Sequence, residues 1–222
     1  MKSFGLVVRS LYRCGTRSPA ESSPLRTLLM RAFGRPQGAV GKLGGIIMAR
    51  TNRAIAARVV ELMNIQPRDS VLEIGFGPGV GIQLLAERAR SGRVVGIDSS
   101  EEMFRQATAR NAGRVASGRV ELQLGSVEHL PFANDSFDKA LAINSMQIWR
   151  DAVTGLREIG RVLKPGGTLA LAFTRYSGQS RAGLTHLITA AGFGKAHVLD
   201  LGGEFCAFAV TPECQRVLAD AN

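Results

Sequence analysis

Residues 71–81, Val-Leu-Glu-Ile-Gly-Phe-Gly-Pro-Gly-Val-Gly, constrain this chain more than any other stretch. Residues 71–74 are apolar apart from Glu73 and predict a short buried strand. Glycines then stand at the alternate positions Gly75, Gly77, Gly79 and Gly81, and after them Ile82, Leu84, Leu85, Ala86 and Ala89 recur at helical spacing. Strand, glycine turn and helix form the unit that brings bare backbone and a helix N-terminus against a charged small molecule. Spacing decides which molecule. A dinucleotide fingerprint needs G-x-G-x-x-G/A. Counted from Gly75 the last position is Val80, and counted from Gly77 it is Ile82; neither is small. No Lys-Ser/Thr follows the glycines, which removes the phosphate-binding P-loop as well.

Four later features continue the pattern. Residues 93–97 predict a second strand ending in Asp98, about 20 residues past the glycine turn, where a carboxylate offers two acceptor oxygens to the two donors of a ribose diol. The competing reading of Asp98 is a cap for the helix predicted over 100–109. A third strand is read over 120–124, followed by Gly125-Ser126-Val127-Glu128-His129-Leu130-Pro131-Phe132. The fourth, over 137–143, ends at Asn144 before Ser145-Met146-Gln147-Ile148-Trp149. An amphipathic helix over 152–163 stops at Leu163-Lys164-Pro165-Gly166-Gly167, a tight turn before a strand at 168–173. A short helix over 183–191 and strands at 196–201 and 205–210 complete the reading.

Together these motifs resemble the class I S-adenosylmethionine-dependent methyltransferases, and within them the small-molecule branch called type 11. The resemblance covers about residues 65–211. It implies an α/β fold: a Rossmann-like, seven-stranded, mostly parallel sheet with a C-terminal antiparallel hairpin and helices on both faces. It implies S-adenosylmethionine as cofactor, with Glu73, Gly75, Gly77 and Gly79 beside its methionine part and Asp98 on its ribose. Ser99, Met103, Ser126, Val127 and Asn144 complete the implied cofactor site. Ser126 departs from the family, which has an acid there; a serine can still bond adenine, without charge. Met146, Trp149 and Tyr176 are the implied substrate side, with Gln147 at the same mouth, and packing beneath the next helix is the other reading of Trp149. The Asn/Asp-Pro-Pro-Tyr signature of adenine and glutamine N-methyltransferases is missing.

Charge divides the chain unevenly. Residues 1–60 hold eleven Lys/Arg and one acid, Glu21, whereas residues 61–222 hold seventeen of each sign, so the whole net charge of +10 sits in the N-terminal quarter. Such an arm suits an anionic surface, lipid or RNA. Residues 1–24 are read as a basic tail or targeting segment; Arg9 and Arg13 interrupt any secretory core, while an Arg-rich, acid-poor mitochondrial presequence is compatible. The expected location is cytoplasmic, or mitochondrial if that segment is a presequence. Residues 25–66 are read as a helical lid in pieces, residues 67–211 as the catalytic domain and residues 212–222 as a tail. Within the lid segment, residues 52–64 form the better helix, and Arg50, Thr51 and Asn52 could face cofactor or substrate.

Cys14, Cys206 and Cys214 form no C-x-x-C pair, the three histidines show no zinc spacing, and no run approaches the ~20 apolar residues of a membrane span. No metal is expected. Methyl transfer from a sulfonium is an in-line displacement from a good leaving group, so holding the acceptor near ~3–3.5 Å is the main demand. No residue commits itself as a general base, and no catalytic residue is assigned. Three functions follow: transfer to a small or lipid-like acceptor, transfer to RNA or another macromolecule through the basic arm, or a non-catalytic S-adenosylmethionine-binding regulatory module.

Overall fold

A computed structural model describes residues 38–213. The readings made for residues 1–24, for the apolar stripe at 25–33 and for 214–222, with Cys14 and Cys214, lie outside the described residues.

Helix α1 (Gly38–Leu62) runs unbroken for 25 residues, which corrects the expectation of separate pieces. Its four glycines each weaken a helix by roughly 1 kcal/mol without removing a hydrogen bond, and no proline falls between 38 and 62. The helix is tied down near both ends of the sheet. Asn52 Oδ1 accepts from Asn144 Nδ2 at 3.1 Å, and Lys139 Nζ donates to the carbonyls of Met63 and Asn64 at 2.6 and 2.7 Å. The helix between these two ties is about 17 Å long at 1.5 Å per residue.

Strands β1 (Ser70–Ile74), β2 (Arg93–Asp98), β3 (Val120–Leu124), β4 (Phe137–Ile143), β5 (Leu163–Phe173), β6 (Gly194–Asp200) and β7 (Phe205–Val210) form one sheet. Its order is β3-β2-β1-β4-β5-β7-β6. The first five are parallel, and β7 is antiparallel to both β5 and β6. This is the fold class expected from the sequence.

Between strands lie α2 (Val80–Arg88), α3 (Glu101–Arg110), α4 (Ala112–Ala116), α5 (Ala152–Val162) and α6 (Leu184–Ala190). The five-residue α4 and a 3₁₀ turn at Met146–Ile148 were not foreseen. Alternation along β1 sorts the core: Val71 joins Ile55, Val59, Ile82 and Leu85 on one face, whereas Leu72 and Ile74 join Leu156, Ile159 and Phe173 on the other.

The Lys-Pro-Gly-Gly segment also differs from expectation. It is not a turn ahead of a strand but an excursion within β5, whose pairing with β4 resumes at Lys139↔Thr168 after Phe137↔Leu163. Pro165 ends α5, since proline disfavours helical backbone in the residue before it, and Gly166 supplies the left-handed φ of 74°.

Order reverses at β1: the chain goes outward to β2 and β3, then returns to β4 on the other side. The crevice beyond the C-terminal ends of β1 and β4 is therefore the place where open α/β sheets bind ligands.

Candidate active site

The loop between β1 and α2 occupies one wall of that crevice. Gly75, Gly77 and Gly79 have φ of 69°, 52° and 79°, a region that side chains disfavour. Two of the three also lack room: a Cβ on Gly75 would lie 2.6 Å from the Ser145 Cβ, and one on Gly79 would lie 2.8 Å from Ala107 and from the Asn111 amide nitrogen. The glycines thus satisfy the protein's own packing as well as any ligand's approach.

Two carboxyl groups brace the loop from below. Asp98, at the tip of β2, accepts the Gly77 N–H at 2.8 Å and the Ser100 N–H at 2.9 Å. Ser100, and not Asp98, is the cap of α3, through its hydroxyl and the Met103 N–H, so the competing reading of Asp98 falls. Glu73 is 2% exposed. The first cap position of α2 is Gly79, which has no side chain to offer; Glu73 instead accepts the Ile82 N–H. Its carboxylate fills the space above Gly81, where a Cβ would lie 2.0 Å from Oε1. Its Oε2 is buried without a partner. Burial first, and the charge on Asp98 second, hold the Glu73 carboxyl well above its ordinary 4.5. Burial likewise raises Asp98 from 3.8, against the N–H groups of Ser100, Gly77 and Ser99.

The C-terminus of α3 holds the loop from the outside. Asn111 is 1% exposed, and its amide donates to the carbonyls of Gly79 and Ala107, both at 3.0 Å. Arg110 Nε donates to the Pro78 carbonyl at 2.8 Å. Sequence reading missed both residues, because a helix end carrying Arg-Asn carries no motif.

The opposite wall begins at Asn144, whose φ of 49° is unusual for a side-chain-bearing residue. Its Oδ1 accepts from Thr174 N at 2.9 Å and Oγ1 at 3.2 Å, and its amide reaches Asn52. Ser145, missed in the sequence, donates to the Ile74 carbonyl at 3.1 Å and accepts from Trp149 Nε1 at 3.0 Å.

The other residues singled out from the sequence are distributed less evenly. Ser99 is exposed, and Met103 is 2% exposed within the core beneath the loop. The Ser126 hydroxyl donates to Glu128, whose carboxylate also takes the Arg150 and Asp151 N–H groups. Val127 is 5% exposed and packs toward Gly155. On the expected substrate side two residues turn inward. Met146 is buried in the core of the α5 face, and Trp149 packs against that core and over Gly155, so the packing reading of Trp149 is the one the structure supports. The Trp149 indole is turned this way by its bond to Ser145. Tyr176, half-buried, is the third residue of the tight turn closed by Ser177 N–H onto the Thr174 carbonyl. Among the described residues no cluster of His, Cys, Asp and Glu could hold a metal ion.

Comparison with known proteins agrees with this geometry. The methyltransferase-domain family matches residues 71–167. An uncharacterized methyltransferase, YdaC of Bacillus subtilis, is 37% identical over 129 residues, covering 58% of this chain and 69% of that protein. The ubiquinone/menaquinone biosynthesis C-methyltransferase UbiE of Geotalea daltonii is 33% identical over 113 residues, and the match spans about half of each protein, 50% and 48%. Among solved structures, a putative S-adenosyl-L-methionine-dependent methyltransferase from Methanococcus maripaludis superposes with a TM-score of 0.66 at 19% identity, over 80% of this chain and 95% of that one.

Proposed function

The chain belongs to the class I S-adenosylmethionine-dependent methyltransferases, and from that premise we propose that its acceptor is a small or lipid-like molecule. The cofactor supplies an activated methyl group on a sulfonium centre. The residues present fit it: a bare glycine loop, the Asp98 carboxylate at the tip of β2 beside it, and a buried Glu73 oxygen that has no partner within the protein. In this reading Asp98 takes the ribose hydroxyls. Gly75 to Gly79 lie along the methionine part, and Glu73 keeps α2 seated so that the loop holds its shape.

The observation that carries the acceptor class is the polar, uncharged set of side chains at the end of β4, where Asn52 bonds the Asn144 amide and Gln147 bonds the Asn144 carbonyl. That arrangement suits one small functional group rather than a polymer backbone. The quinone-pathway name of the relative UbiE points the same way. The chain's contribution in this reading is excluding water and aligning the acceptor, which arrives with a free lone pair.

The basic N-terminal quarter favours a second reading, RNA bound through its phosphates, whose affinity would fall steeply with salt. Incubating the protein with methyl-labelled S-adenosylmethionine and the small-molecule, lipid and RNA pools of an extract separates the two. Label in the small-molecule or lipid pool is the expected result, and label in RNA alone would replace the reading.

A further inference from the structure

Helix α1 does not end where it meets β4. Its tie at Met63 and Asn64 lies near the start of that strand, and its tie at Asn52 lies just past the strand's end. From Asn52 the helix runs a further 14 residues to Gly38, about 21 Å. That extension continues past the sheet edge on which the crevice opens. In sequence it is Gly-Ala-Val-Gly-Lys-Leu-Gly-Gly-Ile-Ile-Met-Ala-Arg-Thr, with Lys42 and Arg50 its only charges.

Register sorts the extension into two rows. Eighteen residues make about five turns of an α-helix, so positions that far apart share a face. Gly38 and Gly41 stand eighteen residues before Ala56 and Val59, which are buried in the core on this face of the sheet. Val40 and Leu43 stand eighteen residues before Arg58 and Glu61, which are exposed. Ile46 precedes the exposed Arg50 by one turn, and Ile47 precedes the exposed Ala54 by two. The glycine row thus continues the inward face of α1, and the apolar row continues the outward one. An outward row that begins as Val, Leu, Ile, Ile and ends as Arg, Ala and Arg does not match a helix surrounded by water along its whole length.

Charge frames the apolar row. Helix α1 carries no acid before Glu61, and Arg50 and Arg53, next along the helix, are exposed. The helices on this face of the sheet, α1 to α4, hold eight Lys/Arg against four acids, whereas α5 and α6 on the other face hold two against one. We propose that the first half of α1 is an interfacial anchor, its apolar row laid into an anionic lipid surface with Arg50 and Arg53 against the headgroup phosphates. Among the described residues no helix is long and apolar enough to cross a membrane; α1 lies on the surface instead and keeps the crevice edge of the sheet close to it. This anchoring is independent of which acceptor is methylated. An RNA backbone would match the cations alone. It leaves the apolar row in water, and α1 offers none of the aromatic side chains on which unpaired bases stack. A second copy of the chain would bring like charges together.

Flotation of the full-length protein with lipid vesicles tests the anchor. Vesicles of phosphatidylcholine with about 30% phosphatidylserine should carry the protein, and phosphatidylcholine alone should bind it ~10-fold more weakly or less. Leu43→Glu combined with Ile47→Glu should weaken binding to the anionic vesicles by ~10-fold or more at an unchanged melting temperature. Arg50→Glu combined with Arg53→Glu alters only exposed positions and should weaken it by a similar factor, about 10-fold. Leu62→Glu, at the far end of the same helix and 44% exposed, should bind as the wild type does. Wild-type binding by either double variant would assign the contact to the basic arm alone and overturn the anchor. A lowered melting temperature in Leu43→Glu/Ile47→Glu with vesicle binding intact would mean that the chain's own residues 25–33 cover the row. Equal binding to both vesicle compositions, or binding to an RNA oligonucleotide and not to vesicles, would overturn it as well.

Discussion

The two walls of the crevice are built from different materials. On the loop side, main chain is held by fixed partners: Gly75 N–H bonds the Ile97 carbonyl at 2.7 Å, Gly77 N–H bonds Asp98, and Arg110 and Asn111 hold the next two carbonyls. On the β4 side, side-chain amides hold one another, from Thr174 through Asn144 to Asn52, with Gln147 hung on the Asn144 carbonyl. A wall of main chain is rigid and tolerates few residues. A wall of amides can be rebuilt one side chain at a time, as suits a fold whose members share one donor and differ in acceptor.

That contrast is broken most severely at Gly75. Gly75→Ala forces a left-handed backbone on alanine, about 1–2 kcal/mol, and drives its Cβ to 2.6 Å from Ser145, adding about 1–3 kcal/mol of overpacking. The melting temperature should fall by about 10 °C, and S-adenosylmethionine affinity by more than ~100-fold, more than 2.7 kcal/mol. Adding Ser145→Gly should return the packing part and leave the backbone part. A Gly75→Ala protein that bound the cofactor normally would show the loop wall to be far softer than its geometry implies.

Asp98→Ala comes next. It removes the acceptor of the Gly77 and Ser100 N–H groups and the lone pairs assigned to the ribose, so calorimetry should find the affinity down about 30-fold, about 2 kcal/mol, in a protein that still melts cooperatively. Unchanged affinity would place the sugar elsewhere.

The same difference in material explains what could be read from the chain beforehand. Main-chain geometry leaves a trace in residue type: left-handed φ demands glycine, and alternation along β1 follows from its two packed faces. The sheet and the backbone shape of the glycine loop were therefore legible. Side-chain direction leaves no such trace. Nothing in Asn-Ser-Met-Gln-Ile-Trp says that Met146 and Trp149 turn into the core while Gln147 does not, because that depends on Ser145 meeting both Gly75 and the indole. Asn111 and Arg110 were missed for the same reason, their partners being carbonyls 32 residues away. The unbroken α1 shows the converse error: a segment read as helical in pieces is one helix from Gly38 to Leu62, because glycine weakens a helix without removing a hydrogen bond.

A subtler effect is expected from Glu73→Gln, which keeps an oxygen for the Ile82 N–H and removes the charge. With its folded value raised, the native state binds more protons than the unfolded chain once the pH exceeds about 4.5. Wild-type stability should then decline as pH rises from there through the raised value. The variant should lack that part of the decline and be the more stable protein at neutral pH, as urea titrations at several pH values can measure. Parallel pH profiles in the two proteins would mean that Glu73 is ionised throughout and finds a cation in solution.

The smallest effect belongs to the joint between the walls. Asn52 and Asn144 share one hydrogen bond of 3.1 Å, which is the side-chain link of α1 to the end of β4, and a bond of this kind contributes about 0.5–1.5 kcal/mol. Because α1 is also held at its far end by Lys139 and by the buried Ile55 and Val59, Asn52→Ala should leave global unfolding almost untouched. The change belongs in local opening: faster amide exchange confined to the first half of α1, and cofactor release a few-fold faster. Asn144→Ala should do more, since it also strips the Thr174 N–H of its acceptor. The double variant should fall short of the sum of the two by about 1 kcal/mol, because the shared bond can be lost only once. Strict additivity would mean that α1 is held over the crevice by its apolar face alone, and that the amide chain belongs to the sheet edge and not to the roof.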